Sequence, residues 1–117
     1  MSDALPAQPQ PSTYRSIYRS DLFTGRVLWV TGGGSGIGRC VAHELASLGG
    51  TVIISGRTQE KLDRVAAEIA EDGGRCETLA FDIRDEEAVK AAVAGVVARH
   101  GAVHGLVNNA GITRPAM

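Results

Sequence analysis

The stretch Thr31-Gly32-Gly33-Gly34-Ser35-Gly36-Ile37-Gly38 limits what this chain can fold into more than any other segment. It follows the apolar run Val27 to Val30 and opens an amphipathic segment, so it reads as a strand, a glycine turn and a helix start. Glycines at 32, 36 and 38 carry no β-carbon to block a pyrophosphate. The free amides and the dipole of the helix N-terminus attract its negative charge. Gly32, Ser35, Gly36, Ile37 and Gly38 thus form the expected phosphate cradle of a nucleotide site.

The spacing separates related phosphate loops. A Walker-type loop needs Lys-Ser or Lys-Thr after its last glycine, whereas Gly38 is followed by Arg39-Cys40. The dinucleotide pattern G-x-G-x-x-G cannot be threaded through these glycines, while T-G-x-x-x-G-x-G fits at every position. In this pattern the chain resembles the short-chain dehydrogenase/reductase family, and the resemblance runs from about Leu22 to Ile112.

From Arg26 onward, short β-rich runs alternate with helical ones, which predicts an α/β fold with parallel strands and crossover helices. The first strand is expected over about Arg26 to Thr31 and the first helix over Ser35 to Leu48. Gly49-Gly50 stops that helix before a second strand at Thr51 to Ser55. Thr58 is the expected N-cap of a helix reaching Asp72, whose Leu62, Val65, Ala66 and Ile69 share one face. A third strand is expected near Cys76 to Phe81. Asp85 then caps a helix with the stripe Val89, Ala92, Val93 and Val96, and a fourth strand spans Val103 to Asn108. Right-handed crossovers give a Rossmann-type doubly wound sheet in the order 3-2-1-4, with the glycine turn at the switch point where ligands bind. Ahead of this domain, assigned to residues 22–117, residues 1–21 carry Pro6, Pro9 and Pro11 and read as a flexible arm. Tyr14, Ile17, Tyr18, Leu22 and Phe23 are the candidates for pinning its second half onto the domain or onto a partner subunit.

In a dinucleotide domain, an acidic residue at the end of the second strand selects NAD through the ribose 2′-hydroxyl. Here that region reads Ser55-Gly56-Arg57-Thr58, and the guanidinium of Arg57 suits a 2′-phosphate, so NADP(H) is expected in preference to NAD(H). The family resemblance assigns adenine recognition to Asp82 and Ile83. It also matches Asn108-Asn109-Ala110-Gly111 to the family's N-N-A-G motif, of which Asn109, Ala110 and Gly111 are expected beside the cofactor.

With 117 residues, 44% of them hydrophobic, and a formal charge of -1, the composition is that of one small soluble domain. Nothing in it points to nucleic acid or a membrane, and a cytoplasmic setting is expected. Cys40 and Cys76 read as buried free thiols. His43, His100 and His104 lack ligand spacing, so no metal site is expected, and Asp85, Glu86 and Glu87 suit the first turn of a helix.

The resemblance implies hydride transfer to or from a carbonyl or enoyl substrate, with proton transfer by the tyrosine of Y-x-x-x-K. That motif does not occur in these residues: the tyrosines are Tyr14 and Tyr18 and the lysines Lys61 and Lys90. No catalytic residue is therefore assigned. The chain reads as the cofactor-binding half of a longer oxidoreductase, expected to be a homo-oligomer when complete. The alternative is a nucleotide-binding or interaction module without turnover. The glycine turn with Ser55-Gly56-Arg57 is similar to dienoyl- and enoyl-CoA reductases, and Asn108 to Arg114 is similar to 3-oxoacyl-carrier-protein reductases, which together imply an acyl thioester or related small-molecule substrate.

Overall fold

The computed structural model describes residues 18–109, in which strands and helices alternate. β1 (Val27–Thr31), β2 (Thr51–Gly56), β3 (Arg75–Ala80) and β4 (Gly105–Asn108) are joined by α1 (Gly36–Ser47), α2 (Gln59–Glu71) and α3 (Glu86–His100). All strands pair in parallel in the order β3-β2-β1-β4, the expected doubly wound arrangement. Ala110 and Gly111, with Tyr14, Ile17 and the prolines of the expected arm, lie outside the described residues.

β1 and β2 are apolar runs because both of their faces are covered, as in other parallel sheets. Side-chain alternation divides them. Val30, Val52 and Ile54 pack with Ala42 and Ala46 of α1 and with Leu62, Val65 and Ile69 of α2. Val27, Trp29 and Ile53 point the other way and meet Val96 of α3. The crossover helices therefore lie on opposite faces, and the cavity-forming loops fall at the C-terminal ends of the strands.

Local chemistry explains where the elements stop. Gly49, at φ 92°, adopts the left-handed conformation that ends α1, and its amide donates to the Ala46 carbonyl. Asp85 caps α3 by accepting from the Ala88 amide at 3.2 Å, as expected. Thr58 occupies the N-cap position of α2 in extended conformation, but its hydroxyl makes no capping bond. β4 begins two residues later than the sequence pattern suggests. The Val27 amide donates to Nδ1 of His104 at 2.9 Å, so a ring nitrogen takes the place of a ladder carbonyl before regular pairing starts at Gly105.

Two burial expectations are corrected. Cys40 is exposed because Gly38, Ala42 and Ala46 mark the inner face of α1 at four-residue spacing, and position 40 falls on the outer side. Cys76 is half-buried, and burial together with the neighbouring Glu77 charge pushes its thiol up to about 12. At the start of the described chain, the Phe23 amide donates to the Leu48 carbonyl at 2.8 Å, whereas Tyr18 and Leu22 stay exposed.

Candidate functional site

The C-terminal ends of β1, β2 and β3 open onto a cleft of about 470 Å³. The glycine turn contributes Gly32, Gly34 and Ser35, and the end of β2 contributes Ser55 to Thr58. α2 adds Lys61 and Leu62, and the loop after β3 adds Phe81 to Arg84. The crossovers thus bring together segments some fifty residues apart, with Gly32 at one end of the sequence range and Arg84 at the other.

The glycines of the turn do different things. The amides of Gly32 and Gly33 both donate to the Ser55 carbonyl, at 2.7 and 3.3 Å, which ties the turn to β2. Gly36 has φ 60°, and a β-carbon there would meet nothing within 4 Å, so it faces open space. Gly38 differs: a β-carbon would lie 2.1 Å from the Gly32 carbonyl oxygen and 2.7 Å from Asn109 Nδ2. It is glycine so that α1 can sit against the turn, a packing demand rather than the clearance for a pyrophosphate inferred from sequence. Gly33, which pattern reading left without a role, packs on Ile54, since a β-carbon would fall 2.5 Å from Ile54 Cγ2.

The residues fit a bound phosphate. Ser35 is the N-cap of α1 but makes no side-chain capping bond, and the first turn of α1 contains no acidic residue. The positive end of the helix is therefore not neutralised by a local carboxylate. Ile37, in the first turn of α1, is 73% exposed.

Thr31 locks the floor of the site. Its Oγ1 donates to Asn108 Oδ1 at 3.1 Å and accepts from the Asn109 amide at 2.8 Å, joining the end of β1 to the end of β4. The Asn109 side chain reaches the Gly32 carbonyl at 3.5 Å. Asn109, Gly36, Ile37 and Gly38 are not among the residues that line the cleft.

Charge in the cleft is predominantly positive, with Arg57, Lys61 and Arg84 against the single carboxylate Asp82. Arg84 bonds that carboxylate through its amide at 2.9 Å, Nε at 3.1 Å and Nη2 at 2.9 Å, while Arg57 Nη1 lies 3.9 Å from Oδ2. The side-chain and backbone bonds from Arg84 hold Asp82 down at about 2, so it stays ionised. Ile83 lines the cleft beside it and is 39% exposed. Of the residues singled out in the sequence, Gly32, Ser35, Arg57, Asp82 and Ile83 thus share one cleft.

Sequence reading missed Lys61, Phe81 and Arg84. The available signal for Lys61 was its i, i+4 spacing from Arg57 at the start of a helix; for Arg84 it was the Asp-x-Arg spacing across the turn after β3. Outside the cleft, the histidines join elements: His43 Nε2 is 2.9 Å from Glu68, and His100 Nε2 is 2.8 Å from Glu77. Among the described residues no cluster of His, Cys, Asp or Glu could hold a metal, and no helix is long and apolar enough to cross a membrane.

Comparison with known proteins is consistent with this geometry. The family model for short chain dehydrogenase matches residues 26–117. The peroxisomal 2,4-dienoyl-CoA reductase of Danio rerio is 39% identical over 83% of this chain and 33% of its own length. The citronellol catabolism dehydrogenase AtuB of Pseudomonas aeruginosa PAO1 superposes with a TM-score of 0.82 at 58% identity, over 86% of this chain and 42% of that one. A metagenomic short-chain oxidoreductase solved in complex with NADP superposes with a TM-score of 0.75 at 43% identity, over 77% of this chain and 41% of that one. The chain spans about a third of the length of the curated relatives it matches.

Proposed function

Because this chain belongs to the short chain dehydrogenase family, we propose that it is the portion of an oxidoreductase that holds NADP(H). The carrying observation is Arg57, which stands at the end of β2 where an NAD-selective domain would place a carboxylate, and which lines the same cleft as the glycine turn. The NADP bound to the metagenomic oxidoreductase supports the reading.

In this arrangement the turn amides and the N-terminus of α1, over Gly32, Ser35, Gly36, Ile37 and Gly38, receive the pyrophosphate. Arg57 forks onto the 2′-phosphate, and Asp82 and Ile83 border the adenine. Asn109, with Ala110 and Gly111 following it in sequence, flanks the cofactor on the β4 side. The nicotinamide, when bound, gives or takes the hydride. No residue of this chain is assigned the accompanying proton transfer.

The substrate is a carbonyl or enoyl compound, and the likeness to a dienoyl-CoA reductase supports an acyl thioester. The complete protein is read as cytoplasmic, in line with the free thiols of Cys40 and Cys76, and as a homo-oligomer, in line with the outer edge of β4 being unpaired among the described residues. A second reading, a nucleotide-binding module without turnover, draws on the absence of Y-x-x-x-K from these residues. Hydride exchange with NADPH by the intact protein rejects that reading.

The cofactor reading is tested with Arg57→Ala. Calorimetric titration is expected to show NADPH binding weakened by about 1 to 3 kcal/mol and NADH binding little changed. Equal losses for both cofactors would defeat the NADP(H) preference.

A further inference from the structure

We propose that Arg84 sets cofactor selectivity without touching the cofactor, by neutralising Asp82 and so leaving Arg57 free for the 2′-phosphate. The inference rests on the assignment of Arg57 to that phosphate.

Asp82 is an anion inside the cleft that is meant to receive another anion. Its Oδ2 lies 3.9 Å from Arg57 Nη1, so it competes for the cation the phosphate needs. Arg84 occupies both carboxylate oxygens: Oδ1 takes its amide and Nε, at 2.9 and 3.1 Å, and Oδ2 takes its Nη2 at 2.9 Å. The fork is side-on, the geometry in which a guanidinium binds a carboxylate most completely. Arg57 makes only the longer contact and remains 66% exposed, so it is the arginine left over. With Arg84 removed, Arg57 is the remaining cation near that carboxylate among the described ion pairs, and the 2′-phosphate must win it from Asp82.

NADPH and NADH share adenine, both riboses, pyrophosphate and nicotinamide. Their affinity ratio cancels every contact except those made at the adenosine 2′ position, a phosphate in NADPH and a hydroxyl in NADH. A purely structural role for Arg84 in shaping the loop after β3 weakens both cofactors and leaves the ratio alone. An effect through Asp82 moves the ratio and is reversed when the carboxylate is also removed.

The experiment is calorimetric titration of NADPH and NADH into the intact protein carrying Arg84→Ala, Asp82→Asn, both together, or Arg57→Ala. Arg84→Ala is expected to lower the NADPH preference about threefold, and Asp82→Asn to raise it by a similar factor, the size typical of exposed charge pairs. The double variant is expected to return to at least the wild-type ratio. An unchanged ratio in Arg84→Ala overturns the proposal, and so does a double variant that stays as low as Arg84→Ala, since Arg84 would then contact the phosphate itself. Arg57→Ala separates the two levels. If it abolishes the preference while Arg84→Ala leaves it intact, the selectivity device fails and the NADP(H) reading stands. If it leaves the preference unchanged, the NADP(H) reading fails with it.

Discussion

On one face of the sheet, α1 and α2 lie side by side and seal Val30, Val52 and Ile54 completely, with Leu62, Val65 and Ile69 each 1% exposed. On the other face α3 is the one helix among the described residues; it buries Val96 with Trp29 and Ile53, while Val93 and Val97 remain 43% exposed and Leu106 of β4 63% exposed. The strands supply apolar residues to both sides equally, so the difference lies in the helices. α2 carries a continuous stripe at i, i+3 and i+7; α3 is an alanine- and valine-rich helix with apolar residues spread around its circumference. The closed face is also the one whose helices line or adjoin the cleft. A backing of packed side chains holds the glycine turn and Arg57 in register, and the open face contributes to the cleft lining through Ser55, whose Oγ accepts from Trp29 Nε1 at 2.9 Å, and through Phe81 and its loop.

The largest effect is expected where the closed face is tightest. Gly38→Ala drives a methyl into the Gly32 carbonyl, and α1 must lift off the turn. A loss of about 3 kcal/mol in urea denaturation is expected, with cofactor binding abolished. An unperturbed variant would mean that α1 is not seated as described.

Next comes a matched pair across the sheet. Ile69→Ala on α2 is expected to cost about 3 kcal/mol, and Val97→Ala on α3 no more than about 0.5 kcal/mol, read as the shift in denaturation midpoint. Comparable costs would show that the open face is covered in solution, by a second copy or by further chain. Val97→Asp sharpens the same point: within about 0.5 kcal/mol of wild type if the face is free, and strongly destabilising if something packs on it.

The smallest effect is electrostatic and is expected on both faces. Glu68 joins α2 to α1 through Arg39 Nε at 2.9 Å and His43; Glu77 joins β3 to α3 through Arg99 and His100. The Arg39 hydrogen bond draws Glu68 below its ordinary range against the opposing effect of burial. Burial pushes Glu77 upward, and the bonds from His100 and Arg99 outweigh it, so it too is lowered. A carboxyl lowered in the folded state stabilises the fold above its unfolded pKa and loses that contribution as pH falls through the folded value. Glu68→Gln and Glu77→Gln are therefore each expected to flatten the acid limb of the stability curve below about pH 4.5 by a fraction of a kcal/mol. An acid limb identical to wild type in both variants would assign these pairs no net stabilisation.

How much of this was legible in the sequence follows the same division. The order of the strands, the glycine turn and the stripe of α2 could be read because periodicity and crossover handedness fix them locally. The stripe assigned to α3 translated into burial only in part: Val96 is fully buried, Val89 and Ala92 are half-buried and Val93 is exposed, because burial depends on what covers a helix as well as on spacing. The role of Gly38 was invisible for a related reason. Pattern shows that a glycine is present, and only the approach of the Gly32 carbonyl shows why. Arg84 and Lys61 reach the cleft by loop geometry and helix placement, which spacing suggests and three-dimensional closure decides.

The central claim is that the nucleotide lies at the C-terminal edge of the closed face, and amide chemical-shift mapping of the labelled protein with NADPH tests it directly. Shifts are expected at Gly32 to Gly38, Ser55 to Lys61 and Phe81 to Arg84, smaller ones at Asn109, and none along Val93, Val97 and Leu106. Shifts concentrated on α3 and β4 with a silent glycine turn would contradict it.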